Sequence, residues 1–503
     1  MTVRAYQMLI DGQWVDARSG KTFESVNPYN GDIVATVPRA EAVDVDKAVR
    51  AARRAFDEGP WSRFSSAERA KKLLLLSEKI EAASKDLLPL LIAESGSTYR
   101  KAKGEIWLSG KQIAYFARMA ETLADDAHEI EGLSRPGVSR NLLVREPIGV
   151  CGQITPWNFP LQMCVWKIAS ALATGNTVVL KPAEETPAIA LALAALIAEC
   201  DFPPGVVNVV TGYGEEAGAP MATHPGVDKI AFTGSTEIGK KIMQAASATL
   251  KKVTLELGGK SANIILPDAD LTQAVDAAIY GAFFHAGQCC TAGTRLLLHE
   301  KIHDAFMSDL LAKAGRITLG DPADKATDMG PLVSRKQQQT VLGYIETGKA
   351  EGAPCLLGGG KPEGTELAQG CFVSPTVFDE VQNRFKIAQE EIFGPVLSVI
   401  RFQTPDEAVA IANDTGYGLA GAVWGVDEQQ ALGLARRLRA GTVWVNEYHL
   451  VSEKAPFGGY KQSGIGRELG EEGLFEYTEL KHIHLDELRD RAKKPWYDSV
   501  VPK

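Results

Sequence analysis

From Pro147 to Glu256 the chain alternates short apolar runs with helical stretches, and this alternation narrows the folds open to it more than any other feature. The apolar runs are Val150–Thr155, Thr177–Lys181, Val206–Val210, Lys229–Thr233 and Val253–Glu256. Between them, Leu161–Ala173, Pro187–Glu199, a short stretch through Met221 and Thr236–Ala246 read as helices. Strands of this length interleaved with helices predict βαβ units and a parallel, doubly wound α/β sheet. Ligands of such sheets sit beyond the carboxyl ends of the strands, so the residues after each strand are the candidates for chemistry.

Three strand ends carry such residues. The first run leads into Pro156-Trp157-Asn158-Phe159-Pro160, the second ends at Lys181 with Glu184 just beyond, and the fourth ends at Thr233-Gly234-Ser235. An acidic residue past the second strand can accept hydrogen bonds from ribose hydroxyls, and its charge disfavours a 2′-phosphate. Glu184 fits that role and points to NAD over NADP; capping the next helix is its other reading. Gly234-Ser235 opens a helix whose N–H groups and dipole can hold a pyrophosphate. Residues 234–241 nearly spell a P-loop, but Lys241 stands where a hydroxyl should meet Mg²⁺, which argues against an ATPase. Gly212-Tyr-Gly214-Glu-Glu-Ala-Gly218 is one residue too long for a dinucleotide fingerprint and follows the wrong strand. No Gly-x-Gly-x-x-Gly follows the first strand, so the cofactor is expected to lie differently from the usual mode.

A second alternating segment follows, with strand Ala262–Leu266, helix Leu271–Phe284 and strand Arg295–His299, and further pairs run to about Asn446. Between the last two elements lies Gly287-Gln288-Cys289-Cys290-Thr291, a small-residue loop with adjacent cysteines. A buried cysteine is usually a small core hydrophobe, whereas a cysteine on a loop beside a base is a nucleophile through its thiolate. Residue types alone leave both readings open. Stretch 348–370 reads as a hairpin or surface loop. Residues 1–30 read as short strands around Asp11-Gly12, and Glu41 to Ala124 as packing helices. Ribbon 125–147 and the strand-like Glu476–Leu485 of tail 470–503 are candidates for a projecting sheet that joins subunits.

At 503 residues the chain exceeds one core, and its length suggests roughly three units of ~150 residues. A net charge of −9 lacks the basic footprint of a nucleic-acid binder. Seven irregularly spaced cysteines suggest no disulfide framework and a reducing compartment. The N-terminus has no signal-peptide core, and the longest apolar run, Ile189–Ile197, is too short to span a bilayer of ~20 residues. A cytoplasmic protein that binds neither membrane nor nucleic acid is the expectation. His482-x-His484 reads as a surface pair, and no metal site is expected.

Seven separated motifs, in order, resemble the aldehyde dehydrogenase superfamily over nearly the whole chain: Pro156–Pro160, Lys181-Pro-Ala-Glu184, Phe232-Thr-Gly-Ser235, Leu255-Glu-Leu-Gly-Gly-Lys260, Gly287–Cys290, Glu390-Glu-Ile-Phe-Gly-Pro395 and Pro456-Phe-Gly-Gly-Tyr-Lys461. The resemblance implies the hydrolytic, NAD(P)-dependent branch. It implies a Rossmann-like doubly wound NAD-binding domain (1–124 and 148–259), an α/β catalytic domain (260–462) and a small β oligomerisation arm with tail (125–147 and 470–503). It assigns Cys290 as nucleophile, Glu256 as general base and Asn158 as holder of the oxyanion, with Lys167 and Glu468 relaying the base's proton. Lys181 and Glu184 would meet the adenosine ribose, Ser235 the pyrophosphate and Glu391 the nicotinamide ribose. Further cofactor contacts fall on Ile154, Thr155, Trp157, Gly214, Phe232, Gly234, Ile238, Leu257 and Phe393. Phe159, Met163, Trp166, Phe284, Cys289, Thr291, Val451 and Phe457 would line the substrate tunnel, with His449 near its mouth. A homodimer or homotetramer is implied.

His285 departs from the family's usual asparagine; a Cys–His pair is disfavoured because the helix should point His285 elsewhere. The expected chemistry is thiolate addition to an aldehyde, hydride loss to the nicotinamide and hydrolysis of the resulting thioester by water that Glu256 activates, which predicts a partly desolvated Glu256. An apolar, aromatic tunnel without an arginine to pair a carboxylate points to aliphatic, terpenoid or aromatic aldehydes. Rival readings are acyl transfer to coenzyme A, a catalytically silent binding or structural relative, and a cysteine hydrolase.

Overall fold

Runs of consecutive apolar residues leave the central strands no wet face. In the computed structural model, which describes residues 3–122, 128–364 and 367–502, every residue of Val150–Ile154 and Thr177–Lys181 is buried. These strands lie inside an eight-stranded sheet. Its order is Gly464–Ile465, Lys252–Glu256, Lys229–Thr233, Val150–Ile154, Thr177–Lys181, Val207–Val209, Met8–Ile10 and Gln13–Val15. The five inner strands are parallel, and the N-terminal hairpin and Gly464–Ile465 add antiparallel edges. Alternate strand residues point to opposite faces. Cys151, Val178 and Leu180 join one cluster with helix Pro160–Ala173, while Ile154, Val179 and Ile230 join another with helix Ala42–Asp57. Helices thus cover both faces, as a doubly wound sheet requires.

A second sheet of seven strands is built from Ala262 to Val445 around its own core. It is parallel except at Cys355–Leu357, which pairs antiparallel with Thr376–Phe378. The stretch read as a hairpin or loop at 348–370 is therefore the end of helix Arg335–Ala350 followed by this edge strand. The expected strand Val206–Val210 shortens to Val207–Val209, and the helix read to Phe284 stops at Phe283.

Ser139–Pro147 pairs antiparallel with Thr478–Asp486 over nine residues, with His128–Glu129 on its far side. Residues 125–127 of the ribbon lie outside the described residues. The strand read from Glu476 to Leu485 runs from Thr478 to Asp486. Gly470–Phe475 is helical because Leu474 is buried against helix Pro160–Ala173, and the strand begins only at Thr478. His482 Nε2 and His484 Nδ1 both bond Asn141 Oδ1, at 3.0 and 2.8 Å, so the pair ties the ribbon together.

Candidate active site

The cysteine loop is made by an unusual backbone. After helix Leu271–Phe283, His285 (φ 52°), Ala286 (φ 54°) and Gly287 (φ 71°) are all left-handed, a conformation that costs a non-glycine residue about 1 kcal/mol or more. Gly287 is needed twice over, since a Cβ there would lie 2.2 Å from the Gly394 carbonyl oxygen. The buried Gln288 side chain pins the loop. Its Oε1 accepts from the Val333 N–H at 2.9 Å and its Nε2 donates to the His285 carbonyl at 3.1 Å. On the other side, a Cβ on Gly259 would come 2.3 Å from the Cys290 carbonyl, so the strand end carrying Glu256 abuts the loop through glycine.

Cys290 and Glu256 open on one cavity of about 1390 Å³. Glu256 is 4% exposed and neither carboxylate oxygen has a partner among the described residues. This exceeds the partial desolvation expected. Burial raises its pKa well above the carboxylate range, Glu468 adds to the rise, and Lys167 and Arg467 oppose it. Burial also pushes the Cys290 thiol well up, with Cys289, Glu391 and Glu256 adding to the rise. Cys290 is therefore a thiol by default and needs a base to become a nucleophile. Burial pushes the Cys289 thiol up to about 12 as well, with Lys101 opposing the rise. The Asn158 amide donates to the Gln288 carbonyl at 2.9 Å, beside the nucleophile loop. Lys167 and Glu468 form a buried ion pair, and Glu468 keeps one oxygen unpartnered.

Phe159, Met163, Trp166, Phe284, Cys289, Thr291, His449, Val451 and Phe457 all line the cavity. His449 lines the cavity and is held on both ring nitrogens. Its Nε2 donates to the Gly281 carbonyl at 3.1 Å and its Nδ1 accepts from the Thr291 hydroxyl at 3.0 Å. Burial takes its pKa down to about 4, so it stays neutral. Leu450, 68% exposed, takes the outer position. His285 is buried beside Phe159, its ring 5.8 Å away, and does not line the cavity. Burial, then Lys101, lowers its pKa well below the ordinary value, so it is a poor base for Cys290.

At the opposite end the cavity is lined by Trp157, Thr233, Gly234, Ser235, Leu257, Glu391 and Phe393. Glu391 Oε1 accepts from the Gly259 N–H at 2.9 Å, and burial lifts its pKa to about 7. Ile154, Thr155, Lys181, Glu184, Gly214, Phe232 and Ile238 lie outside this lining. Thr155 and Lys181 are joined across the strand ends by a 3.1 Å backbone bond, and Lys181 Nζ donates to the Pro182 carbonyl at 2.8 Å and lies 3.5 Å from Glu184. Thr186, not Glu184, occupies the cap position of the next helix. Gly214 opens the short π-helical turn Gly214–Gly218, and the Phe232 ring lies against Gly234. The Ser235 hydroxyl caps its helix by accepting from the Ile238 N–H at 3.3 Å, and Ile238 is 42% exposed.

Three cations line the cavity that the reading of the sequence missed, Arg100, Lys101 and Lys313, the last paired with Asp276 at 2.9 Å and Asp309 at 3.0 Å. Arg100 pairs with Asp328 at 2.7 Å. Lys101 is fully buried, pairs with Glu105 at 2.5 Å, donates to the Asn158 carbonyl at 2.7 Å and stands 4.2 Å over the Phe159 ring. Glu105 Oε1 in turn accepts from the N–H groups of Leu161 and Gln162, capping the helix after Asn158. A Lys–Glu pair four apart on a helix reads as a solvated face, and only the packing reveals it as an anchor for Asn158.

A cysteine loop, a buried carboxylate and an amide donor on one cavity at the ends of a parallel sheet mark a dehydrogenase-type site of the α/β class. The aldehyde dehydrogenase family model matches residues 14–483, and the chain belongs to that family. It is 46% identical to betaine aldehyde dehydrogenase of Bacillus subtilis over 98% of this chain and 99% of that protein. It is 48% identical to the human mitochondrial aldehyde dehydrogenase over 95% and 91% of the two chains. Among solved structures, betaine aldehyde dehydrogenase of Staphylococcus aureus with NAD⁺ matches at a TM-score of 0.95, with 41% identity over 99% of this chain and 96% of that one. The NAD⁺ complex of an aldehyde dehydrogenase from Bacillus cereus matches at 0.93 with 46% identity over 96% of each chain.

Proposed function

We propose that the chain oxidises an aldehyde to its carboxylic acid with NAD as acceptor, through a hemithioacetal and a thioester on Cys290. The observation that carries this reading is the shared cavity of Cys290 and Glu256, continuous with a cleft at the strand ends. The residues of that cleft fit a dinucleotide. Thr233 Oγ1 is buried without a partner among the described residues, Gly234-Ser235 open the helix Thr236–Ala246, and Glu391 faces the same space. Two solved relatives named above carry NAD⁺, which supports the same cofactor here. Trp157, Gly234, Ser235, Leu257, Glu391 and Phe393 would hold it near the sulfur, and Ile154, Thr155, Lys181, Glu184, Gly214, Phe232 and Ile238 would meet its outer half. When bound, NAD supplies the hydride acceptor.

The chain's own groups do the remaining work. The Cys290 thiol loses its proton to solvent, and the thiolate sulfur adds to the aldehyde carbon. The Asn158 amide and the Cys290 N–H hold the resulting oxyanion, a donor whose loss typically costs about 3 kcal/mol. After oxidation, Glu256 draws a proton from water as that water attacks the thioester, and the sulfur leaves as thiolate. A base at Glu256 favours water over coenzyme A as acyl acceptor. Glu256→Gln is expected to keep a first burst of NADH while steady turnover falls about a hundredfold and acyl-enzyme accumulates. Wild-type turnover of that variant would remove Glu256 from the mechanism.

We read the substrate as an apolar aldehyde, because Phe159, Met163, Trp166, Phe284 and Phe457 line the tunnel and the three cations there, Arg100, Lys101 and Lys313, are paired. The relatives named for betaine aldehyde give a second reading, since the same rings could face a quaternary ammonium group. An aldehyde panel followed at the NADH absorbance band separates the two. The exposed strand Thr478–Asp486 is read as a subunit-joining edge of a homo-oligomer, and the domain bounds stay as the motifs divide them.

A further inference from the structure

One side chain on the tunnel wall carries an amide where its neighbours carry rings and a thioether. Phe159, just before helix Pro160–Ala173, and Gln162, Met163 and Trp166 within it all line the cavity. Their spacing of three and four residues puts them on one helix face. Gln162 is 7% exposed among them. Burying an amide is costly unless its polar atoms find partners.

The hydrogen bonds fix which way that amide faces. An indole N–H can only donate, and that of Trp166 donates to Gln112 Oε1 at 2.8 Å. Gln112 Oε1 is therefore an acceptor, and the Gln162 atom 3.2 Å from it is the amide nitrogen. Gln162 Oε1 is left as the free end of the amide, with no donor to it among the described residues, and the space that Gln162 lines is the cavity. The side chain is also held in place from behind. Gln112 is 1% exposed, and the backbone N–H of Gln162 donates to Glu105 Oε1 at 3.2 Å. An acceptor fixed in this way loses little freedom when a ligand meets it.

The rest of the wall leans the same way. The Thr291 hydroxyl gives its proton to His449 Nδ1, which leaves lone pairs on its oxygen. Lys101 donates to Glu105 and the Asn158 carbonyl, Arg100 to Asp328 and the Thr327 carbonyl, and Lys313 to Asp276 and Asp309. The cations are thus committed to protein partners, while Gln162 Oε1 is not. Around it, the rings of Trp166 and Phe457 meet edge to face at 5.4 Å, and those of Phe159 and Phe284 lie 6.3 Å apart. An aromatic substrate would find ring partners there in the arrangements rings prefer.

We propose that Gln162 is a specificity-determining residue whose Oε1 accepts a hydrogen bond from a hydroxyl on the substrate's tail, and that the substrate class is a hydroxylated aromatic aldehyde. The inference rests on the reading of the chain as an oxidiser of apolar aldehydes and narrows it. Gln162 meets the tail and not the reacting carbonyl, so it acts on selection and not on the chemical steps. A quaternary ammonium tail has no proton to give and would leave Oε1 unmet.

The test measures kcat/KM of the full-length enzyme with NAD for 3- and 4-hydroxybenzaldehyde. Each is set against the methyl and methoxy analogues substituted at the same position, at a pH below the phenol's titration. The methyl group resembles the hydroxyl in size and the methoxy group resembles it in electron donation to the ring, while neither can donate a proton. At least one hydroxyl isomer is expected to be favoured about tenfold over both analogues. Gln162→Leu should bring that ratio near parity. Gln162→Asn, which draws the oxygen back by one carbon, should lower it too, so the assignment does not hang on a single variant. A general structural defect slows all the aldehydes together and leaves the ratio where it was. No hydroxyl preference in the wild type, or a preference that both variants keep, overturns the proposal. If neither propanal nor any aldehyde of the set yields NADH, the oxidation reading itself has failed. NADH from all of them without a hydroxyl preference sinks only the role of Gln162.

Discussion

Burial decides how Glu256 can act. Because its pKa is raised, the carboxylate that can draw a proton from water is populated only above the ordinary carboxylate range of about 4.3. Thioester hydrolysis should therefore rise with pH along an acidic limb displaced upward, and a pre-steady-state pH profile measures it. A limb at the ordinary carboxylate pKa would show that the charged form is not disfavoured. The two sulfurs differ by surroundings and not by type. Cys290→Ala should abolish oxidation while NAD binding, followed by fluorescence titration, persists; Cys289→Ala should stay active. The inverse pattern would mean that the wrong sulfur is the nucleophile. Both cysteines and the Glu256 motif were legible in the chain, whereas the raised pKa values were not, since desolvation depends on what other segments cover these groups. His285 was rightly discounted for a reason only partly correct: the backbone turns left-handed before the ring is placed, and the ring is then enclosed beside Phe159.

The elements around the site are held by a few close approaches. Gly287→Ala would drive a Cβ into the Gly394 carbonyl and demand a left-handed alanine. It is expected to cost more than about 2 kcal/mol in a denaturant titration and to impair turnover by moving Cys290. Ala286→Gly, at φ 54°, should instead stabilise by about 1 kcal/mol. Lys101→Met would leave Glu105 charged and unpaired in the interior, at a cost of about 3 kcal/mol, and would loosen the backbone of Asn158. Unchanged denaturant midpoints in all three variants would contradict this account of the loop. Strand and helix types were read correctly through most of the doubly wound segment because apolar periodicity is local. In the tail the strand read from Glu476 begins two residues later, because Glu476 and Tyr477 close the helix Gly470–Phe475.

At the scale of the molecule, two sheets with separate cores meet at the cavity, and the long ribbon of Ser139–Pro147 and Thr478–Asp486 carries an exposed edge. Ile483 and Leu485 are 42 and 44% exposed on one face of its strand and Leu480 is 53% exposed on the other, apolar side chains that an isolated subunit would hold in water. Ile483→Lys should shift the assembly toward smaller species in sedimentation velocity without altering the circular dichroism. An unchanged sedimentation coefficient would separate this edge from assembly.

The chain by itself determined which segments are strands and helices and which residue types stand at the strand ends, because both are written in neighbours a few positions apart. Only the folded structure decided that Glu256, Cys290, Asn158 and the segment around Glu468 share one space, and that Lys101 and Glu105 are an interior anchor. Those relations join residues up to hundreds of positions apart, and the desolvation they create exists only once the segments have closed over one another.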